Sequence, residues 1–103
     1  MANNLRTEDG VSLIAAERQR QIDVEGYTVE HDAQHPEQMA RAAASYATPA
    51  ADRRMEYGVP ELWPWTPDFW KPTPDDRVRE LVKAGALIAA EIDRLNRLEA
   101  FRG

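Results

Sequence analysis

The chain has 103 residues, 43% of them hydrophobic and 30% charged, a net charge of −5 and no cysteine. The length predicts one domain, and the composition is that of a folded domain rather than a disordered or membrane-embedded one. Without cysteine there are no disulfides, thiolate nucleophiles or zinc–thiolate sites, and the acidic balance argues against broad nucleic-acid binding, which rests on Lys and Arg neutralising phosphates.

Residues 1–10 carry Arg6, Glu8 and Asp9 and no apolar signal core, so a flexible N-terminus and a cytoplasmic protein are expected, with no span long enough for a membrane. A domain of this size buries only about 60–65% of the surface its unfolded chain exposes, so self-association is a ready route to further burial.

From Val11 to Glu25 the apolar residues Val11, Ile14, Ala15 and Ile22 recur at helical spacing, with Gly26 suited to a helix end. The polar connector from Tyr27 to His35 ends at Pro36. A proline tolerates the first helical position, so Pro36-Glu37-Gln38 reads as the start of a second helix with Met39, Ala42, Ala43 and Tyr46 as its buried stripe. Thr48-Pro49 repeats that grammar and predicts a short helix from Ala50 to Tyr57, stopped by Gly58.

Residues 59–75 hold five of the seven prolines and all three tryptophans, which excludes regular helix and predicts a stiff, aromatic, turn-rich loop. Long loops in small domains are usually functional. Thr73-Pro74-Asp75-Asp76 then predicts an N-cap at Thr73 and a long helix from Pro74 to about Glu99. Its apolar residues Val78, Leu81, Val82, Gly85, Ile88, Ala89, Ile92 and Leu95 make a face widened by Ala84, Leu87 and Leu98, wide enough for more than one neighbour. The fold class expected is all-α: a small bundle of three main helices, residues 1–103 as one domain, with the Pro/Trp loop before the long last helix and a homo-oligomer built on that helix.

Four constellations bear on chemistry. Trp63-Pro64-Trp65 and Phe69-Trp70-Lys71-Pro72 offer rings that stack on nucleobases and a lysine for phosphate, although large aromatics also fold back as lids over small cores. His31-Asp32 and His35, with Glu25 and Glu30 before them, have the side chains for a metal or proton exchange. Pro36 takes His35 off any helix shared with His31, so turn and capping roles are preferred and no structural metal site is expected. Glu17, Glu80, Glu91 and Glu99 each precede a basic residue by three positions, the spacing of a solvated, weakly stabilising face; Lys83, beside the apolar stripe, is the exception and points to a pocket or interface. The small residues of Ala42-Ala43-Ala44, Ala84-Gly85-Ala86 and Ala89-Ala90 mark close helix contacts.

The segments 14–21 (IAAERQRQ), 25–32 (EGYTVEHD), Trp63-Pro-Trp65, Trp70-Lys-Pro72 and 81–92 (LVKAGALIAAEI) resemble a group of small proteins encoded by tailed bacteriophages and prophages, across nearly the whole chain from Leu13 to Arg97. Phages also encode small helical oligomers that sequester nucleotide second messengers of bacterial immunity, and MazG-like all-α nucleotide pyrophosphohydrolases of similar size. The resemblance therefore implies a protein of the host bacterial cytoplasm that handles nucleotides. MazG-like enzymes hold magnesium with Glu-x-x-Glu and Glu-x-x-Asp helical motifs, and here no acid follows another by three residues. Glu17, Asp23, Glu25 and Asp32 would have to converge in space instead.

The expected function is accordingly a homo-oligomeric anti-defence sponge that binds a nucleotide-type ligand without transforming it and needs no cofactor. Its expected binding residues are Trp63, Trp65, Trp70, Lys71, Arg79, Lys83, Arg18 and His31. The alternatives are a MazG-like metal-dependent enzyme and a protein-binding module that inhibits a host factor through the Trp-Pro loop.

Overall fold

A computed structural model describes residues 8–25 and 37–102. It is mostly helical, as expected. Helices α1 (Gly10–Glu25) and α2 (Gln38–Ala47) both pack against the long α3 (Arg77–Arg102). Between α2 and α3 lie single 3-10 turns at Ala50–Asp52 and Pro67–Phe69 and a hairpin of β1 (Met55–Glu56) and β2 (Val59–Pro60).

The core forms where small residues let α2 and α3 approach. Met39, Ala42, Ala43 and Tyr46 are buried together with Ala84, Leu87 and Ala90, and Trp63 closes the cluster from the loop. The stripe expected for α2 is thus the stripe observed. On the next face of α3, the Ile14 side chain of α1 lies over Gly85, so tightly that a Cβ there would sit 2.5 Å from Ile14 Cδ1. A side chain at 85 would therefore require Ile14 to shift.

Helix α1 starts where Asp9 caps it, its Oδ1 accepting the Ser12 N–H at 2.9 Å. Its inward face differs from expectation. Val11 is 79% exposed and Ile22 lies at the surface, while Glu17 and Gln21 are each only 3% exposed. The i,i+3 charge pairs are corrected likewise: Glu17, Glu80 and Glu91 with Arg94 are interior. Arg94 donates two hydrogen bonds to Glu91 at 2.8 and 2.7 Å, which satisfies the fork in place of water. Glu99–Arg102 cannot be followed, since the Arg102 side chain lies outside the described residues.

The short helix expected over 50–57 gives way after one turn. Tyr57 (φ 55°) and Gly58 (φ 82°) are both left-handed, the requirement of a two-residue hairpin turn, and Met55 pairs with Pro60 across it. Gly58 therefore closes a hairpin and stops no helix.

The start of α3 moves as well. The Thr73 N–H is taken by Glu80 Oε2 at 3.1 Å and its hydroxyl donates to the Asp76 carbonyl, so Pro74 and Asp75 form a turn. Asp76 is the cap, accepting the Arg79 N–H at 3.0 Å.

One buried knot joins these parts. Glu80 accepts from Arg53 at 3.1 Å and Arg77 at 3.2 Å. The same two guanidiniums donate to the last carbonyls of α2: Arg53 to Ser45 and Tyr46, Arg77 to Tyr46 and Ala47. Cations at a helix C-terminus also meet the negative end of its dipole. No helix among the described residues is long and apolar enough to cross a membrane.

Candidate functional site

The loop expected over 59–75 folds inward at its rings. Trp63, 8% exposed, meets Tyr46, Trp65 and Trp70 edge-on at centroid distances of 5.6, 5.3 and 5.1 Å. Its Nε1 donates to the Thr66 carbonyl, and Trp65 Nε1 donates to Gln38 Oε1 at the first turn of α2. The Lys71 N–H donates to the Tyr46 hydroxyl at 3.0 Å. Pinned at these points, the loop becomes one wall of a cavity.

That cavity measures about 350 Å³ and lies between α1, α3 and the loop. Trp65 and Phe69 form its apolar side, with Phe69 55% exposed. Arg20, Lys71, Arg79 and Lys83 bring four cations to it, and Glu17 is the sole carboxylate among the described lining residues. In a chain of net charge −5 this is a local reversal of sign, suited to an anion.

Glu17 organises the polar side. Arg20 reaches it bidentately at 2.9 and 2.7 Å, Arg79 at 2.7 Å and Gln21 Nε2 at 3.3 Å. Burial pushes the Glu17 carboxyl up, but the Arg20 hydrogen bonds and the positive charges of Arg79 and Arg20 outweigh it, holding the group below its ordinary value. It is therefore an anion at neutral pH. Lys83 Nζ is held by the Lys71 carbonyl at 2.6 Å and sits 5.3 Å from the Tyr46 ring centre.

Of the residues expected to bind ligand, Trp63, Trp65, Lys71, Arg79 and Lys83 line this one cavity. Trp70 does not line it. Its ring stacks on Tyr46 at 4.7 Å with the Arg53 guanidinium 5.1 Å from its centre, so it supports the wall from behind. Arg18 is also elsewhere, reaching Asp93 of α3 at 3.4 Å. His31, with Asp32 and His35, lies outside the described residues.

Arg20, Gln21 and Tyr46 are lining residues that the sequence reasoning missed. Gln21 follows Glu17 by four positions, and that spacing on a helix otherwise poor in buried apolar residues was the available signal. A second depression, lined by Leu13, Ala16 and Val82, shares Glu17, Arg20 and Arg79 but has no aromatic wall. Among the described residues no three His, Asp or Glu side chains group as a metal site would require. Comparison with protein-family models, with curated proteins and with solved structures gives no match to this chain.

Proposed function

We propose that the chain binds a small nucleotide-type ligand in this cavity and holds it without transforming it. The observation that carries the reading is the pairing of an aromatic side, Trp65 and Phe69, with four cations in a space of about 350 Å³, within the range of small-molecule sites. A flat base matches the first and a phosphate the second. Sequestration is preferred to hydrolysis because magnesium chemistry on nucleotides needs converging carboxylates, whereas the cavity's Glu17 is already engaged by two guanidiniums. The resemblance to small phage proteins supplies the setting: an anti-defence sponge for an immune signalling nucleotide in the host cytoplasm.

Calorimetry with linear and cyclic nucleotides, followed by chromatography of ligand released by heat, tests this. Trp65→Ala is expected to weaken binding by about 1–3 kcal/mol with little change in salt dependence. Lys83→Ala should weaken it and flatten that dependence. The released ligand should be chemically intact; magnesium-dependent cleavage would favour the hydrolase. Failure of every nucleotide to bind would leave the loop as a protein contact.

The assembly proposed is a homo-oligomer through α3. Leu81, Ile88 and Leu95 follow one another by seven residues and Ile92 lies between them, each 47–52% exposed on the side of α3 turned away from its core contacts. A helix apolar on both sides is one that packs on both sides, and a seam repeating every seven residues fits another helix of the same kind. A second copy supplies that helix by two-fold symmetry. Light scattering should give a dimer or larger at micromolar concentration, and Ile88→Glu with Ile92→Glu should give a helical monomer. A monomeric wild type would remove the oligomer.

A further inference from the structure

One stripe of α1 lines two hollows. Leu13, Ala16, Glu17 and Arg20 border the second depression, and Glu17, Arg20, Gln21 and Val24 border the cavity, each set spaced i, i+3, i+4, i+7. On a helix that spacing is one face, so the depression continues the cavity about 6 Å further along α1. Helix α3 contributes Arg79 to both. The hollows are of equal size, about 350 Å³, and share Arg20 and Arg79, whose side chains are 39% and 34% exposed. Their charge differs. The cavity sets four cations against Glu17, whereas in the depression Glu8 and Glu17 balance the same two arginines beside Leu13, Ala16 and Val82. An anion is therefore favoured in the first, and an uncharged, partly apolar group in the second.

Resting on the nucleotide reading above, we propose that the ligand carries two nucleosides joined through phosphate: one base lies on Trp65 and Phe69, the phosphate meets the cations, and the second nucleoside occupies the depression beyond Arg20 and Arg79. A mononucleotide ends in its anion and has nothing to place there. A phosphate substituted on both sides has a neutral group for the far side of the two arginines. Ribose hydroxyls and base amines are donors, which suits the Glu8 carboxylate, whereas a second phosphate in the depression would be repelled by it. Covering about 60 Å² of apolar surface against Leu13, Ala16 and Val82 corresponds to about tenfold in affinity.

The test uses the full chain and three matched pairs of probes: AMP against ApA, GMP against GpG, and ADP against diadenosine 5′,5′-diphosphate. The second member of each pair has one more nucleoside on its phosphate and, at about pH 7.5, about one negative charge fewer, since a monoester ionises twice and a diester once. Charge alone would make it the weaker binder. Calorimetry should instead show it binding about fivefold to twentyfold more tightly in at least one pair. Ala16→Gln, at an exposed position of α1 and with good helix propensity, narrows the depression and should bring that probe down to about the affinity of its partner, with a melt to verify folding. Equal or weaker binding by the second member of every pair would overturn the two-nucleoside assignment while the cavity remains a nucleotide site. So would a preference that survives Ala16→Gln, or a loss that falls equally on both members. Absence of binding by all six probes and by pyrophosphate would overturn the assignment and the nucleotide reading together.

Discussion

Glu80→Ala should lower the melting temperature by about 12 °C or more, the largest loss of stability expected from any one of the charged side chains. Glu80 is 2% exposed and holds the Arg53 and Arg77 guanidiniums, of which Arg53 is itself nearly inaccessible at 6% side-chain exposure. Removing the carboxylate leaves a buried cation uncompensated, a loss of about 3–5 kcal/mol where comparable pairs are broken. In a domain of this length each kcal/mol moves the midpoint by about 4–8 °C. The damage should spread, because the same guanidiniums hold the last carbonyls of α2. Glu80 also gives the fold an acid limb. Burial raises its carboxyl, but hydrogen bonds from Arg53, Arg77 and the Thr73 N–H outweigh that, and it sits below the ordinary value of 4.5. The unfolded chain then binds more protons in that window, so the contribution is complete above about pH 5 and is lost as pH falls through the folded value. Thermal melts from pH 7 to pH 3 should show a steeper decline for wild type than for Glu80→Gln. Parallel declines would mean that Glu80 is not the group responsible.

The parts of the fold that the sequence disclosed are those where burial follows apolar periodicity. Met39, Ala42, Ala43 and Tyr46 recur at helical spacing and form the buried stripe of α2, and the Ala84 and Ala90 positions of α3 meet them. Where the interior is polar the same reasoning reversed the answer. Glu17 and Gln21 carry α1 into the structure because guanidiniums satisfy them, and periodicity does not register a buried charge that brings its partner with it. The hairpin was illegible because its strands are two residues each, too short to alternate, and Tyr-Gly is a weaker turn signal than Asn-Gly. In the cavity, the density of rings and cations in the sequence pointed to the right loop. Adjacency misled at Trp70 and Lys71: on extended backbone neighbouring side chains face opposite ways, so Lys71 reaches the cavity while Trp70 stacks behind it on Tyr46.

Glu17→Gln should tighten nucleotide binding by about tenfold, the opposite of what a catalytic or metal-holding acid would give. The substitution removes the one negative charge from the described lining of a cavity that has four cations, and a unit charge a few ångströms from a phosphate at a partly exposed site is worth about 1.4 kcal/mol, or tenfold in affinity. The fold should tolerate it better than the loss of Glu80. The Arg20 and Arg79 side chains are 39% and 34% exposed, so once released they turn to water or to the ligand, and the glutamine amide keeps an acceptor for one of them. Binding should also become more salt-dependent, since more net positive charge then faces the phosphate. Titration at two salt concentrations, with a melt to verify folding, measures all three effects. Weaker binding by a folded Glu17→Gln would show that the anion does not enter this cavity. A ligand cleaved by wild type and spared by the variant would make Glu17 the acid of a hydrolase. Tighter binding with the ligand unchanged is the result a sponge should give, because there the carboxylate only competes with the phosphate for Arg20 and Arg79.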